Sequence, residues 1–247
     1  MKRKLLLSLM FIFCGHLYVS AQESDKKESL DGYYVNDMGR MVTRGYYVNG
    51  EKDGSWATYY STGELLSLET YRMGKKDGVC VKFDYMGCLS EQEEYKQGLL
   101  DGFRLEYNLK EGGRLLLKER YKNGFLEGDR IVYYEDGGMQ EEAEFHNGKK
   151  NGPSVWFDRD FRKIATYNYK DGIFEGTQLY FYPSGSIKSE NTYENNIAVG
   201  PYREFFEEGE LKMIGNFKKG AKHGKWIEYS KDGQVVKITK YANGREK

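Results

Sequence analysis

From Tyr47 onward, apolar and polar positions along the chain recur with a fixed spacing. The first aromatic of each unit falls at Tyr47, Tyr71, Tyr95, Tyr121, Phe145, Tyr169, Tyr193, Phe217 and Tyr241, 24 residues apart except for the 26 between Tyr95 and Tyr121. A fixed period in this range marks a repeat architecture. With that aromatic as position one, position thirteen is aromatic in every full unit: Tyr59, Phe83, Tyr107, Tyr133, Phe157, Phe181, Phe205 and Tyr229. Position eleven is mostly aliphatic, from Ala57, Val81 and Leu105 to Ile227, and so is position nineteen, from Leu65 and Leu89 to Val235. Alternation of side chains along a strand places positions eleven, thirteen, nineteen and one on a single apolar face. Position ten runs Trp56, Cys80, Arg104, Arg130, Ser154, Gln178, Tyr202 and Trp226, so the opposite face reads as mixed.

Glycine punctuates the same unit. Position eight is Gly in all eight full units, and position four is Gly in seven, with Asn196 as the exception. Position seventeen is Gly except at Phe161. Asn is the residue after Gly that best tolerates a left-handed backbone, so Asn196 supports a turn at position four. A Phe in that region is strained, so the turn at Phe161 is expected to change type. The segments between glycines are too short for helices, and each pair, such as Ser55–Tyr60 and Glu64–Tyr71, reads as a hairpin. Its three-residue loop, Ser61-Thr62-Gly63, fits a type I turn followed by a bulge. A lone hairpin is marginal in water, so neighbours must stack. The expectation is an all-β chain: an elongated, twisted antiparallel β-meander with one hairpin per 24 residues.

The motif Gly-x-x-x-x-aromatic-x-x-x-Gly-x-Leu, then Tyr-x-x-Gly-x-x-x-Gly, resembles MORN repeats (membrane occupation and recognition nexus). The first unit shows it as Gly54, Tyr59, Gly63, Leu65, Tyr71, Gly74 and Gly78. The bacterial 24-residue, YwqK-type antitoxin-like variety is the most similar. The resemblance implies extended antiparallel β-structure and binding roles in protein scaffolding, with phospholipid contact proposed for some members, and it carries no catalytic residues. Many eukaryotic copies have a 23-residue period with an acidic residue after the Tyr. Here Arg72 and Lys122 stand at that place, which weakens a transfer of lipid binding.

The rest of the chain sets context. Lys2, Arg3 and Lys4 precede the apolar run Leu5–Phe13, and Val19-Ser20-Ala21 offers a cleavage site. Residues 1–21 thus read as a signal peptide, which places the mature chain in the periplasm or on the outer cell surface. Residues 22–46 read as a polar linker and a degenerate capping half-repeat, 47–240 as eight repeats, and 241–247 as a partial ninth with a charged tail. The 38 basic and 38 acidic residues balance, and without Lys2, Arg3 and Lys4 the balance is 35 against 38. No basic field is available for nucleic acid.

Cys80 and Cys88 are the only cysteines after the leader, and pairing Cys80 with Gln92 keeps their sulfurs too far apart for a disulfide. His146 and His223 sit in turns of distant units. No nucleophile motif, phosphate loop, metal set or cofactor site is present, which argues against an enzyme. Glu91, Glu93 and Glu94 read as solubilising strand residues. The sharper candidates are aromatics that share the mixed face: Trp56, Tyr60, Tyr134, Trp156, Tyr182, Phe206 and Trp226. Exposed rings of this kind anchor protein partners or stack on sugars. The functional expectation is a non-catalytic, exported scaffold for protein–protein interaction in the cell envelope. The alternatives are a glycan or cell-wall binder, a membrane-surface contact, or an antitoxin-like binder of an exported toxin.

Overall fold

The computed structural model of the protein describes residues 31–110 and 112–247. The expected signal peptide, Cys14 within it and the polar stretch Gln22–Ser29 lie outside the described residues. Every element among the described residues is a β-strand, and all of them join one open antiparallel sheet of 21 strand segments. Strands follow one another in chain order, from Gly32–Asp37 and Met41–Val48 through to Val235–Ala242 and Arg245–Glu246. All substantial contacts are between strands adjacent in this order or separated only by the two-residue segments Lys75–Lys76 and Ile173–Phe174. At about 4.8 Å per strand, such a sheet is on the order of 90 Å long.

Two kinds of turn alternate. At positions three and four both residues have positive φ, as in Asn49 (52°) and Gly50 (74°). That is the signature of a two-residue type I′ hairpin turn, whose twist matches the strands it joins. Asn196 takes φ 65° in the place of Gly, as its tolerance of this region requires. Successive turns of this kind are bonded into a row. The Gly74 N–H donates to the Lys52 carbonyl at 2.9 Å, Gly98 to Lys76 at 2.7 Å and Gly148 to Leu126 at 2.9 Å. Position seven adds a carboxylate to the row. Asp53 accepts the Met73 N–H, Asp101 the Asn123 N–H and Glu127 the Asn147 N–H.

The other turn is the three-residue loop with a bulge. Gly63 N–H donates to Tyr60 at 3.0 Å and Tyr60 N–H to Glu64 at 2.9 Å. The two extra residues of the 26-residue interval fall in this loop, which closes from Gly113 N–H to the Asn108 carbonyl. Phe161 corrects the expectation of a changed turn. It holds φ 60°, and its N–H donates to the Asp158 carbonyl at 3.1 Å, as the glycines do elsewhere. Asp158 enforces the shape by accepting the Asp160 and Arg162 N–H groups and the Arg162 guanidinium. A left-handed Phe costs on the order of 1–2 kcal/mol. Phe161→Gly is therefore expected to leave stability unchanged or raise it by up to about 1 kcal/mol, less whatever the ring contributes by lying over Gly138. Chemical denaturation of the two proteins measures this directly.

Position eight is not a turn. Gly54 lies inside the strand Glu51–Tyr60, with φ 70°, at a bulge where Arg44 faces Ala57 and Tyr46 faces Asp53. The strand therefore begins at position five instead of after the glycine. Bulges of this kind bend and twist a sheet.

The facing also differs from simple alternation. In each of the eight hairpins the register slips by one residue before the loop: Thr58 faces Ser67 but Tyr59 faces Leu65, which leaves Leu66 extra. The same slip makes Cys80 face Glu93 instead of Gln92. Position nineteen stays beside position thirteen, but positions twenty-one, twenty-three and one cross to the other side. The first aromatic of each unit therefore shares a face with position ten, not with positions eleven and thirteen. That face is the inner one. All of the well-buried side chains at unit positions ten, fourteen, twenty-one and twenty-three lie on it, among them Trp56, Trp226, Ser154, Gln178, Glu119, Glu141, Ala143 and Ala165. Positions eleven and thirteen form the outer face and are half-buried.

Candidate functional site

The inner face is divided by chemistry. Near the start of the sheet, Trp56 is 2% exposed and lies against a glycine floor. A Cβ on Gly45 would come within 2.3 Å of its indole. Tyr34, Tyr47 and Tyr71 from three other strands surround the ring at centroid distances of 5.9, 4.9 and 6.4 Å. Lys52 Nζ caps it at 4.3 Å, and its Nε1 donates to the Tyr46 carbonyl at 3.1 Å. The far end repeats the construction. Trp226 covers Gly215, with Tyr202, Phe217 and Tyr241 around it and Lys222 4.2 Å from its ring.

Two position-ten side chains, Trp56 and Gln178, also serve the backbone beside the bulge, whereas the Trp226 Nε1 has no hydrogen-bond partner among the described residues. The bulge at position eight interrupts the ladder at position twenty-three or twenty-four of the preceding strand, as at Gly45, Glu94 and Glu144, and an unpaired buried amide is costly. Trp56 donates to the adjacent Tyr46 carbonyl. Gln178 does the same job twice over, with its Nε2 donating to the Asn168 carbonyl at 3.1 Å and its Oε1 accepting the Asn168 N–H at 2.7 Å.

Between the aromatic ends runs a ladder of ion pairs that crosses strand after strand. Lys76 pairs with Glu69 at 2.7 Å and Lys82 with Glu91. Arg104 reaches Glu119 at 3.0 Å, Glu91 at 3.4 Å, Glu93 at 3.7 Å and also Glu106. Arg130 bridges Glu119 at 2.9 Å and Glu141 at 3.2 Å. Glu141 then takes Lys150 and the Ser154 hydroxyl, and Ser154 accepts from Trp156 Nε1 at 3.0 Å. Tyr71, Tyr95 and Tyr121 donate their hydroxyls to Glu69, Glu93 and Glu119. Burial, together with the neighbouring carboxylates, pushes all three phenols up. Tyr202 is pushed up to about 12 by burial and Glu204. The expectation that Glu91 and Glu93 only solubilise a strand is corrected: both turn inward to Arg104.

Glu69 and Glu91 give the ladder a pH signature. Burial pushes both carboxyls up, but the pairing of Glu69 with Lys76 and of Glu91 with Lys82 and Arg104 outweighs it and holds both below the usual range. A depressed folded value stabilises the fold above the unfolded carboxylate value of about 4.3, and that stability is lost as pH falls through the folded value. The melting temperature is thus expected to hold between about pH 8 and 5 and to fall progressively below about pH 4.5. A melting temperature that rises on acidification would contradict the ladder.

The seven candidate aromatics do share a face, but it is this inner one, and their contacts are internal. Tyr60, Tyr134 and Tyr182 donate to the Phe83, Phe157 and Phe205 carbonyls of the next unit at 3.2, 2.8 and 2.9 Å. Arg159 lies over Tyr134, Lys188 over Tyr182, Lys212 and Lys231 over Phe206, and Lys150 over Trp156. The residues that organise the face, Arg104, Arg130, Glu119 and Glu141, were not singled out from the sequence. The available signal was two consecutive arginines at position ten with Glu at position twenty-three beside them.

A shallow depression of about 480 Å³ near Asp101, Arg120, Glu127 and His146 is open to solvent. Its carboxylates Asp101 and Glu127 are already engaged by turn amides. Among the described residues no group of three or more His, Cys, Asp and Glu is placed to hold a metal ion. Cys80 and Cys88 are free thiols. No helix among the described residues is long and apolar enough to cross a membrane.

Comparison with known proteins adds one family. The profile described as "MORN repeat variant" matches residues 52–73, 126–147, 174–195, 198–219 and 222–243. The segments between these matches include the 26-residue interval and Phe161. No curated protein matches the chain. Among solved structures, a porin-like protein from Bacteroides uniformis aligns over 87% of this chain and 91% of its own at 9% identity, with a TM-score of 0.20. A score that low carries no argument about fold or function.

Proposed function

We propose that this repeat chain is a non-catalytic scaffold, exported to the cell envelope, that binds a protein partner along its outer face. One observation carries the reading: the two faces are finished differently. On the inner face, charges and aromatic rings are engaged with one another. On the outer face, half-exposed apolar side chains are paired at positions thirteen and nineteen of each hairpin, such as Phe83 with Leu89, Tyr107 with Leu115 and Tyr133 with Met139, with no described layer over them, while at position eleven Val81, Leu105 and Ile131 alternate with Gln92, Lys118 and Glu142. A recurring, uncovered set of apolar side chains rimmed by polar ones marks an interaction site. The glycan reading needs free rings, and Trp56 and Trp226 are buried. An antitoxin-like role is one form of the proposal, with an exported toxin as the partner.

A photo-crosslinking residue at Tyr107 or Phe157 on the outer face is expected to capture a discrete protein in the native envelope, while one at Val132 on the inner face captures none. Capture from neither site, or equal capture from both, would refute the proposal. Fractionation of the same cells tests the envelope location.

A further inference from the structure

Around the strand Phe125–Tyr133, in the middle of the sheet, the outer face carries a charge pattern that is complementary to itself. Ile131 sits between Lys118 of the strand before it and Glu142 of the strand after it. Two residues nearer the type I′ turns, Arg120 and Glu144 stand on those same strands, with Asp129 between them and facing Glu144. One strand therefore presents two cations outward, and the next but one presents two anions. Arg120, Glu142 and Glu144 are exposed and Lys118 is half-buried. At about 4.8 Å per strand, the intervening strand holds the two sets roughly 10 Å apart.

None of these four charges joins an ion pair among the described residues. Lys118 Nζ lies 5.2 Å from the Phe103 ring instead. On the inner side of the same strands, Glu119 and Glu141 both close on Arg130. Toward the three-residue loops, the outer face of this window is apolar. Tyr107 faces Leu115 and Tyr133 faces Met139, with Phe157 on the following strand, and all are half-buried.

We infer, resting on the outer-face reading above, that the partner is a second copy of this chain, packed face to face about a two-fold axis that runs along Phe125–Tyr133 between the two sheets. Such an axis exchanges the strands on either side and keeps their height. Arg114–Lys122 of one copy then lies over Met139–His146 of the other. Lys118 meets Glu142 of the second copy, Arg120 meets Glu144, Leu115 meets Met139 and Tyr107 meets Phe157. The joint is isologous, so each contact is made twice. Ile131 meets its own counterpart, and Asp129 stands on the axis with Arg120 of both copies beside it. Turning the second copy about the long axis of the sheet would instead stack Lys118 on Lys118 and Glu142 on Glu142. Aligned sheets pack about 10 Å apart with strands within about 30°, a gap that a Lys–Glu or Arg–Glu pair spans. Five strands, each in contact over about seven residues, give a footprint of roughly 550 Å² per copy. A total of about 1,100 Å² suits a weak, reversible association.

Sedimentation of the full chain is expected to show a monomer passing to a dimer, and no further, as concentration rises. Arg120→Glu and Glu144→Arg each set two like-charge pairs in the joint, and each is expected to weaken association by more than about tenfold. Mixed one to one, the two variants restore both pairs and are expected to associate as the wild type does, as is the double variant. Circular dichroism spectra, and urea midpoints read below the association concentration, are expected to match the wild type throughout. A photo-crosslinking residue at Tyr107 is expected to join two copies, with the attachment beside Phe157. A wild type monomeric at every concentration, single variants that associate normally, or a mixture that does not regain association would each overturn the inference. Capture of a different protein at Tyr107 would then leave the outer-face reading standing, whereas no capture there would overturn both.

Discussion

Trp56→Ala is expected to cost about 3–5 kcal/mol, the range for removing a large buried aromatic. The indole fills the space above Gly45, contacts three tyrosine rings and satisfies the Tyr46 carbonyl. Its loss creates a cavity and leaves an unpaired backbone acceptor together. Stability in a stack of repeats is the sum of unit and neighbour terms, so the damage is expected to stay local. Hydrogen exchange should quicken in the strands from Gly32–Asp37 to Leu65–Arg72 and stay unchanged around Trp226. Gly45→Ala probes the same site from below: a methyl group 2.3 Å from the indole forces the ring out. Uniform loss of protection over the whole sheet would contradict the local account.

The second large effect belongs to Glu119. It is 6% exposed and bonds to Arg104, Arg130 and the Tyr121 hydroxyl. Removing one partner of a buried ion pair costs about 3–5 kcal/mol, because the remaining charge is left uncompensated. Here the two arginine side chains are 23% and 27% exposed, so water screens part of the loss. Glu119→Leu is accordingly expected to cost about 2–3 kcal/mol in urea unfolding. Glu142→Leu is the control: Glu142 faces Ile131 and Val155 on the outer side and is exposed. It should stay within about 0.5 kcal/mol of wild type. Equal effects of the two would mean that the ladder does not hold the strands together.

The turns were legible in the sequence because their backbone demand falls on particular residues. Gly at positions four and seventeen, with Asn196 as the tolerated exception, announces positive φ without any tertiary information. Phe161 was misjudged because Asp158, three residues before it, holds the turn through its side chain. The facing was only half legible. Alternation groups Trp56 with Tyr60, and Tyr59 with Ala57, correctly, but it fails across the loop. The single extra residue at Leu66, which turns position one to the inner side, leaves no mark in the pattern of apolar positions. The ion ladder was lost with it. Whether Glu119 meets Arg104 or water depends on that one-residue slip, and a charged residue on a strand reads as solvated until its neighbours are known. The glycine at position eight was visible but ambiguous, since a turn and a mid-strand bulge make the same demand on φ.

The underlying claim is that the molecule is a line of units, each supported only by its neighbours, on a repeat of 24 residues. Deleting residues 169–192 joins Asn168 to Tyr193 and removes one whole unit in register. Solution scattering is the direct measurement. The account predicts a folded chain whose longest dimension is shorter by about 10 Å, two strands at about 4.8 Å each. An unfolded deletion variant, or one whose longest dimension is unchanged, would contradict it.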